Sequence, residues 1–473
     1  MYMGITMIFV ALCSLMYLAY RGYSIILLAP LFAVIAAWGS EHASMAIFSE
    51  LYMSKAAEYF KMYYPVFLLG AVFAKIMEKG GLAAAVANKI VRIFGKNRAV
   101  LALLLGCGIL TYGGLSVFVV AFVMYPFGAI LFRQADIPKR LLPATLWMGI
   151  FSYAMVALPG TPQIQNIIPA AYFGTTTWAG IFSGLMGGSM YFLLALVWLN
   201  YRVRRLKRQG IGYGNILRNE PTEDKKTLPS WKLAVLPLLL VVVINLFVSN
   251  PFAWQWAYHW HPDTLASFEP LHLLLLSSSV AKVQAIWSIN VALFFSTIVA
   301  VYIGRKRFRV MEGLMSTVNY AAITSGTATL NVASGFAFGC VVTSLPGFAA
   351  IRQFLLQLSF GNTPLLSAIV TTNVMAAVTG SASGGLTIAL DMLGDQWLSW
   401  GQQVQVPAEL LHRMVAMASV GMDPVPHCGA LVTLLAICGL THKEAYYDIA
   451  VLMGLKFFVP FVCVLLYLVT GLI

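Results

Sequence analysis

Two kinds of polar residue stand inside long apolar runs of this sequence, and each suits a different chemistry. The first is a set of hydroxyls, amides and glycines. Thr371-Thr372-Asn373 is followed by Thr379-Gly380-Ser381-Ala382-Ser383-Gly384-Gly385, and an earlier, weaker echo reads Thr111-Tyr112-Gly113-Gly114-Leu115-Ser116. Such groups bind a small anion through O–H and backbone N–H donors, or a bare cation through their oxygens. The second kind is ionisable: Asp423 and His427 flank Pro424 and Pro426. An imidazole titrates near neutral pH, and a carboxylate four positions away can orient it or share its proton.

These residues need elements that place them in a bilayer without exposing backbone to lipid. The chain has 473 residues, of which 60% are hydrophobic and 10% charged, with a mean hydropathy of +0.82. That is a polytopic membrane protein, since soluble domains carry roughly 25% charged residues. The net charge of +13 sits mainly in short loops between apolar runs, where it reports orientation rather than nucleic-acid binding. Six cysteines show no metal-ligand spacing and are expected as free thiols. No Gly-Lys-Ser/Thr phosphate loop is present, which excludes a built-in ATP motor.

Glycine costs roughly 1 kcal/mol per helical position relative to alanine, and unwound backbone is tolerated at membrane depth only where protein or a cavity receives it. The glycine-rich clusters therefore predict two re-entrant hairpins, over 99–132 and 364–393. Leu158-Pro159-Gly160-Thr161-Pro162-Gln163-Ile164-Gln165-Asn166 and Met422-Asp423-Pro424-Val425-Pro426-His427 predict two broken helices, over 141–176 and 408–440. Basic residues flank the first hairpin on both sides (Lys96, Arg98, Arg133, Lys139, Arg140), which places both its ends inside the cell. The stretch from Ser40 to Tyr63 is amphipathic and predicts a helix lying in the interface ahead of a span from Tyr64 to Met77.

The expected architecture is an all-α polytopic membrane protein with about ten transmembrane helices and two re-entrant hairpins. Residues 1–201 form a first repeat, 202–230 a cytoplasmic linker and 231–473 a second repeat of inverted topology, with both termini outside a bacterial-type inner membrane. Where the breaks of two such repeats meet, secondary transporters hold their cargo. The candidate cargo site comprises Thr111, Gly113, Gly114, Ser116, Thr161, Gln163 and Asn166 from the first half, and Asn373, Thr379, Ser381, Ser383 and Gly384 from the second. Neither hairpin tip nor break carries Arg or Lys, so helix N-termini, each about half a positive charge, would compensate an anion. Asp423 and His427 are the candidates for proton coupling. A sodium ion at Thr372, Asn373 and Ser381 is the alternative. His412 and Asp391 fall near predicted span ends, where snorkelling accounts for them.

The order of these features resembles the ion transporter superfamily, and within it the gluconate:proton symporter (GntP-type) family. The resemblance rests on Lys75-Ile76-Met77-Glu78-Lys79-Gly80-Gly81, on Pro159-Gly160-Thr161-Pro162, on Thr379-Gly380-Ser381-Ala382 and on Gly439-Leu440-Thr441-His442-Lys443-Glu444. It implies import of a small hydroxy acid or related organic anion with protons, no cofactor, an elevator motion and a homodimer. One departure is local: the family's His-Pro-Gly-Pro is Leu158-Pro159-Gly160-Thr161 here, which removes an ionisable ring. Two other classes are weighed and set aside. Gly394-Asp395 and Tyr447-Asp448 carry the dipeptides of intramembrane aspartyl proteases in reversed order, and no charged ring or carbonyl filter suggests a channel.

Overall fold

The structure, a computed structural model, describes residues 2–21, 23–38, 44–214, 218–221, 228–271, 276–310, 313–358 and 362–473. Among these residues there is no strand. The first half forms α1 (Tyr2–Tyr20), α2 (Ile25–Ala37), α3 (Ser44–Ala46), α4 (Met53–Lys79), α5 (Leu82–Phe94), α6 (Ala99–Tyr112), α7 (Val117–Gln134), α8 (Leu142–Ile150), α9 (Ile164–Phe173) and α10 (Ile181–Arg208). The second forms α11 (Trp231–Ser249), α12 (Val280–Val310), α13 (Gly313–Ser344), α14 (Ala349–Gln357), α15 (Leu365–Thr379), α16 (Ala382–Gln403), α17 (Ala408–Ala418), α18 (Gly429–Cys438) and α19 (His442–Thr470).

Among the described residues, eight helical stretches are long and apolar enough to cross a membrane, or nine if α5 and Lys96–Tyr112, which bend by 96° at their junction, count as one. This agrees with the expected all-α polytopic architecture, in which shorter apolar helices stand beside the full-length ones. Helix α2 has 13 residues, which rise only about 20 Å against a hydrocarbon core of about 30 Å.

The interfacial helix expected from Ser40 to Tyr63, of which residues 40–43 lie outside the described residues, is corrected. A π-turn, Ile47–Tyr52, joins α3 to α4, and Ser44–Lys79 runs as one 36-residue helix. Tyr52, Tyr59 and Tyr63 are buried, and the Tyr59 ring lies 5.4 Å from that of Phe336 in α13. Glu58 and Lys61 stay exposed on the same helix. The amphipathic pattern thus reports a face packed on protein, not on headgroups.

Helices α4 and α13 pack along each other at the centre. Helix α4 also touches α12, and α13 touches α2, so the pairs α1–α2 and α11–α12 take equivalent places. The same exchange runs through the rest of the molecule. Helix α6 lies on α8 as α15 lies on α17, α7 reaches α18 as α16 reaches α9, and α9 meets α17 as α18 meets α8. The pairings of the two halves are thus reciprocal, element for element.

Charged clasps join the halves near their ends. Arg202 of α10 forms a buried two-pronged bridge to Asp448 of α19, at 2.6 and 3.2 Å. In the 202–230 connection, Glu220 accepts from Lys139 at 2.8 Å and Arg218 bonds Glu444 at 2.5 Å, while Asn219 donates to the Ala436 carbonyl at 2.7 Å. The linker therefore grips both halves as well as connecting them.

Candidate functional site

The first break begins where α8 stops at Ile150. A π-turn, Tyr153–Ala157, is followed by extended chain to Gln163, where α9 starts. Proline at 159 and 162 removes two backbone donors, and Gly160 takes φ +78 against the Trp178 ring, where a Cβ would lie 2.5 Å from the nearest ring atom. The freed carbonyls then need donors from outside the helix. Arg413 of α17 supplies them. Its Nε and Nη2 donate to the Ala179 carbonyl at 3.0 and 2.5 Å, Nη2 also reaches the Thr177 carbonyl at 3.4 Å, and Nη1 donates to the Val156 carbonyl at 2.8 Å and Asn166 Oδ1 at 2.9 Å. All five guanidinium hydrogens are used, and none meets a carboxylate.

Asn166 is the hub of this region. Its Nδ2 donates to the carbonyls of Thr161 and Thr177 at 2.9 and 2.8 Å, which leaves Oδ1 to accept from Arg413 and from His412 Nε2 at 3.2 Å. His412 accordingly carries its proton on Nε2, and Nδ1 accepts from the Thr175 hydroxyl at 2.7 Å. The Thr161 hydroxyl donates to the Ala154 carbonyl at 2.7 Å. The first hairpin tip is tied to the same break: Gln163 Nε2 donates to the carbonyls of Thr111 and Leu115 at 2.8 and 3.1 Å, and the Tyr112 hydroxyl to that of Pro159 at 2.7 Å. Gly113 and Gly114 pack on Leu238, Val241 and Leu293, and Gly114 has φ +91. Ser116 precedes α7 without a side-chain cap, and the buried Thr111 hydroxyl has no partner among the described residues.

The second break spans Ser419 to Cys428, between α17 and α18. It is held more sparsely. Asp423 Oδ1 pairs with Lys456 Nζ of α19 at 3.4 Å, both side chains being buried, and Lys456 Nζ stands 5.9 Å from the centre of the Trp147 ring of α8. The Tyr446 hydroxyl donates to the Pro424 carbonyl at 3.0 Å. His427 Nε2 meets the Val378 carbonyl at 3.3 Å, and Gly380, at φ +59, leaves room for its ring: a Cβ there would lie 2.8 Å from His427 Cδ2. Asp423 and His427 thus engage different partners, which corrects the expectation of a mutual dyad. Asp423 turns to α19 and His427 to the C-terminal end of α15.

At the second tip the Thr379 hydroxyl donates back to the Met375 carbonyl at 2.8 Å, and Ser381 Oγ accepts from Gly384 N–H at 3.2 Å as the cap of α16. Ser383 is buried, its carbonyl accepting from Thr387 at 2.7 Å. Asn373 Nδ2 donates to the Ile369 carbonyl at 3.0 Å, while its Oδ1 faces Gly421 of the second break and has no partner. The hydroxyls of Thr371 and Thr372 are likewise buried and unpartnered among the described residues.

A permease model described as the GntP family matches residues 64–470. The chain belongs to the GntP permease family. Over 484 aligned positions it is 38% identical to the uncharacterized transporter YxjC of Bacillus subtilis (strain 168), covering all of both chains. It is also similar in fold to the Alcanivorax borkumensis YdaH transporter, whose crystal structure was described as having an unusual topology. The TM-score is 0.55 over 90% of this chain and 89% of that one, at 14% identity. This GntP permease is therefore a multi-pass membrane transporter and not an enzyme.

Within this permease the breaks gather ionisable groups that the sequence reading left out of the site. Arg413 and His412 lie within α17, and Lys456 within α19; all three are buried. The expectation that helix N-termini alone compensate an anion is corrected, since two cations and one acid, Asp423, stand where the broken helices cross. The snorkelling assigned to His412 is overturned by its complete burial, and that assigned to Asp391 by its bridge to Lys55 at 3.2 Å. A lysine inside the apolar run Leu455-Lys456-Phe457-Phe458 was the available signal for one of them.

Proposed function

We propose that the protein imports a small hydroxy monocarboxylate, of the size of gluconate or hydroxybutyrate, by proton symport. The observation that carries this reading is the buried pair of Asp423 and Lys456 at 3.4 Å, a carboxylate that can take a proton beside an ammonium that can take an anion. Buried charge without a counter-ion is expensive, so protonation of Asp423 and binding of an anion by Lys456 favour each other. Asp423 is the proton acceptor in this reading, and His427 links the second break to its hairpin.

The reciprocal packing supports two repeats of inverted topology, 1–201 and 231–473, and an elevator motion. Helices α4 and α13, with α1–α2 and α11–α12, make the scaffold. The hairpins and broken helices make the moving body. Lys55 of α4 and Cys340 of α13 both reach Asp391 of α16, at 3.2 and 3.1 Å, so this contact crosses the boundary and is remade in each cycle. We place the transporter in a bacterial-type inner membrane, with both termini outside and the scaffolds of two copies in contact as a homodimer.

A second reading has its own observation. The oxygens of Thr371, Thr372 and Asn373 are buried without partners among the described residues, and Asn373 Oδ1 faces unwound backbone at Gly421, a donor set of the kind that holds sodium. The experiment is uptake of radiolabelled gluconate and hydroxybutyrate into proteoliposomes under an imposed proton gradient or an imposed sodium gradient. Accumulation driven by acid outside supports proton symport. Accumulation driven by sodium alone moves coupling to the α15 oxygens.

A further inference from the structure

We propose that Lys456 and the indole N–H of Trp147 form the receptor for the cargo carboxylate, and that Lys456 is released to it when Asp423 takes up the coupled proton. This rests on the reading of the protein as a proton-coupled carboxylate importer and names the groups that would couple the two.

The geometry starts from what Lys456 touches. Its ammonium has one carboxylate partner, Asp423 Oδ1 at 3.4 Å, and stands over the Trp147 ring at 5.9 Å. Trp147 is on α8, which leads into the first break, whereas Asp423 is in the second, so the ammonium lies between the two broken helices. Trp147 is 1% exposed, stacks on Phe151 with ring centres 4.2 Å apart, and its Nε1–H has no acceptor among the described residues. An indole N–H buried without an acceptor costs free energy that a ligand oxygen would recover. The orphan is a donor, and its neighbour is a cation. Both fit an anion and neither fits a metal ion.

The charge balance then closes. With Asp423 ionised, the pair is neutral and Lys456 is occupied. A proton taken from water outside forms the O–H of the Asp423 carboxylic acid, which no longer neutralises Lys456, and the ammonium exchanges that oxygen for one of the cargo carboxylate. One proton and one monocarboxylate are bound together, and the buried charge is the same before and after. Binding the anion without the proton leaves two carboxylates for one ammonium, and binding the proton alone leaves a bare cation; both are costly in a dry site.

No other acid competes at this point. On its own segment Asp423 is accompanied by His427, which bonds Val378, and by Cys428. Helix α19 brings Lys456, Tyr446 and Cys463, and α10 brings Tyr191, whose hydroxyl donates to the Met417 carbonyl at 3.1 Å. Helix α17 carries Glu409, His412 and Arg413, the last two turned to the first break, while α8 and α15 have no titratable side chain.

The test uses the full-length protein in proteoliposomes with labelled gluconate and hydroxybutyrate, a pH-sensitive dye inside, and counterflow as a second mode. In Asp423→Asn, proton-driven accumulation is expected to fall at least about tenfold and its pH dependence to flatten, while slowed exchange of labelled for unlabelled anion persists. In Trp147→Phe, which keeps the stack and loses the N–H, KM is expected to rise about three- to tenfold with kcat retained. Asp423→Asn combined with Lys456→Met leaves no unpaired charge at this pair, and is expected to be monodisperse yet to give no gluconate-induced thermal shift. A wild type that moves neither anion overturns the functional reading and this inference with it. A wild type that does, beside an Asp423→Asn that still accumulates with protons or a double variant that binds gluconate as the wild type does, overturns the inference alone.

Discussion

The two breaks occupy equivalent places in the two halves and are held in opposite ways. In the first, every freed carbonyl named above meets a donor: five bonds from Arg413 converge on it, Asn166 fills both of its faces, and Gln163 and Tyr112 lash the hairpin tip to it. In the second, one ion pair at 3.4 Å, one histidine contact at 3.3 Å and one bond from the Tyr446 hydroxyl at 3.0 Å bridge to neighbouring helices, and Asn373 Oδ1 beside it has no partner among the described residues. A fully satisfied polar network rigidifies, whereas a sparsely satisfied one has states to choose between. In the proposed mechanism the first break, where more polar groups are paired although the Thr111 hydroxyl, Gln165 Oε1 and Trp178 Nε1 find no partner among the described residues, is the steadier wall of the site, and the second is where binding and protonation would change the structure.

Substitutions that remove the staple or the ion pair separate these roles. Arg413→Gln strips the donors from four acceptors in a dry core and is expected to cost about 5 kcal/mol, seen as loss of monodisperse protein. Arg413→Lys is not expected to rescue it, because an ammonium has three donors where five are used. Asp423→Ala strands Lys456 and is expected to cost about 3–4 kcal/mol in thermal unfolding of the purified protein, most of which returns when Lys456→Met is added. That recovery has no counterpart at Arg413, which has no acid to remove.

Gly421→Ala tests the softer wall at smaller scale. A Cβ there would stand 2.1 Å from Asn373 Oδ1, so α15 and the break must part, at about 1–3 kcal/mol. The smallest effect is placed outside both breaks, at the linker. Burial alone would raise the Glu220 carboxyl, but hydrogen bonds from Lys139 and Tyr213 and the charges of Lys139 and Arg133 outweigh it and hold it below the ordinary carboxylate range. The lowered value means that this contribution is complete above the unfolded pKa and is lost as pH falls through the folded one. Wild type is expected to lose about 1 kcal/mol more than Glu220→Gln as the pH is taken from 6 to 3, read from unfolding temperatures.

The sequence made the breaks legible because backbone irregularity is local: Pro159, Gly160 and Pro162, Gly113 and Gly114, Gly380, Pro424 and Pro426 each forbid a regular helix wherever the chain goes. It did not reveal what fills them. Asn166 and Arg413 are 247 positions apart, and Asp423 and Lys456 are 33 apart on either side of α18, so no periodicity connects the partners. Thr379, Ser381 and Thr161 looked like ligands for cargo, yet their side chains serve their own backbone, since a short hydroxyl at a helix end finds a carbonyl or N–H before it finds anything else. The amphipathic run before Tyr64 misled for a related reason: a helix face packed on a partner helix has the same pattern as one laid on a membrane.

The claim that one break is a wall and the other a working part is tested most directly by hydrogen exchange of the reconstituted protein, comparing peptides across 151–166 and 419–430. The measurement is made with and without gluconate, at acid and neutral pH. The account predicts that exchange in 151–166 stays slow and unchanged, while 419–430 exchanges faster and becomes protected when gluconate and acid are supplied together. Equal responses in the two segments, or a response confined to 151–166, would contradict it.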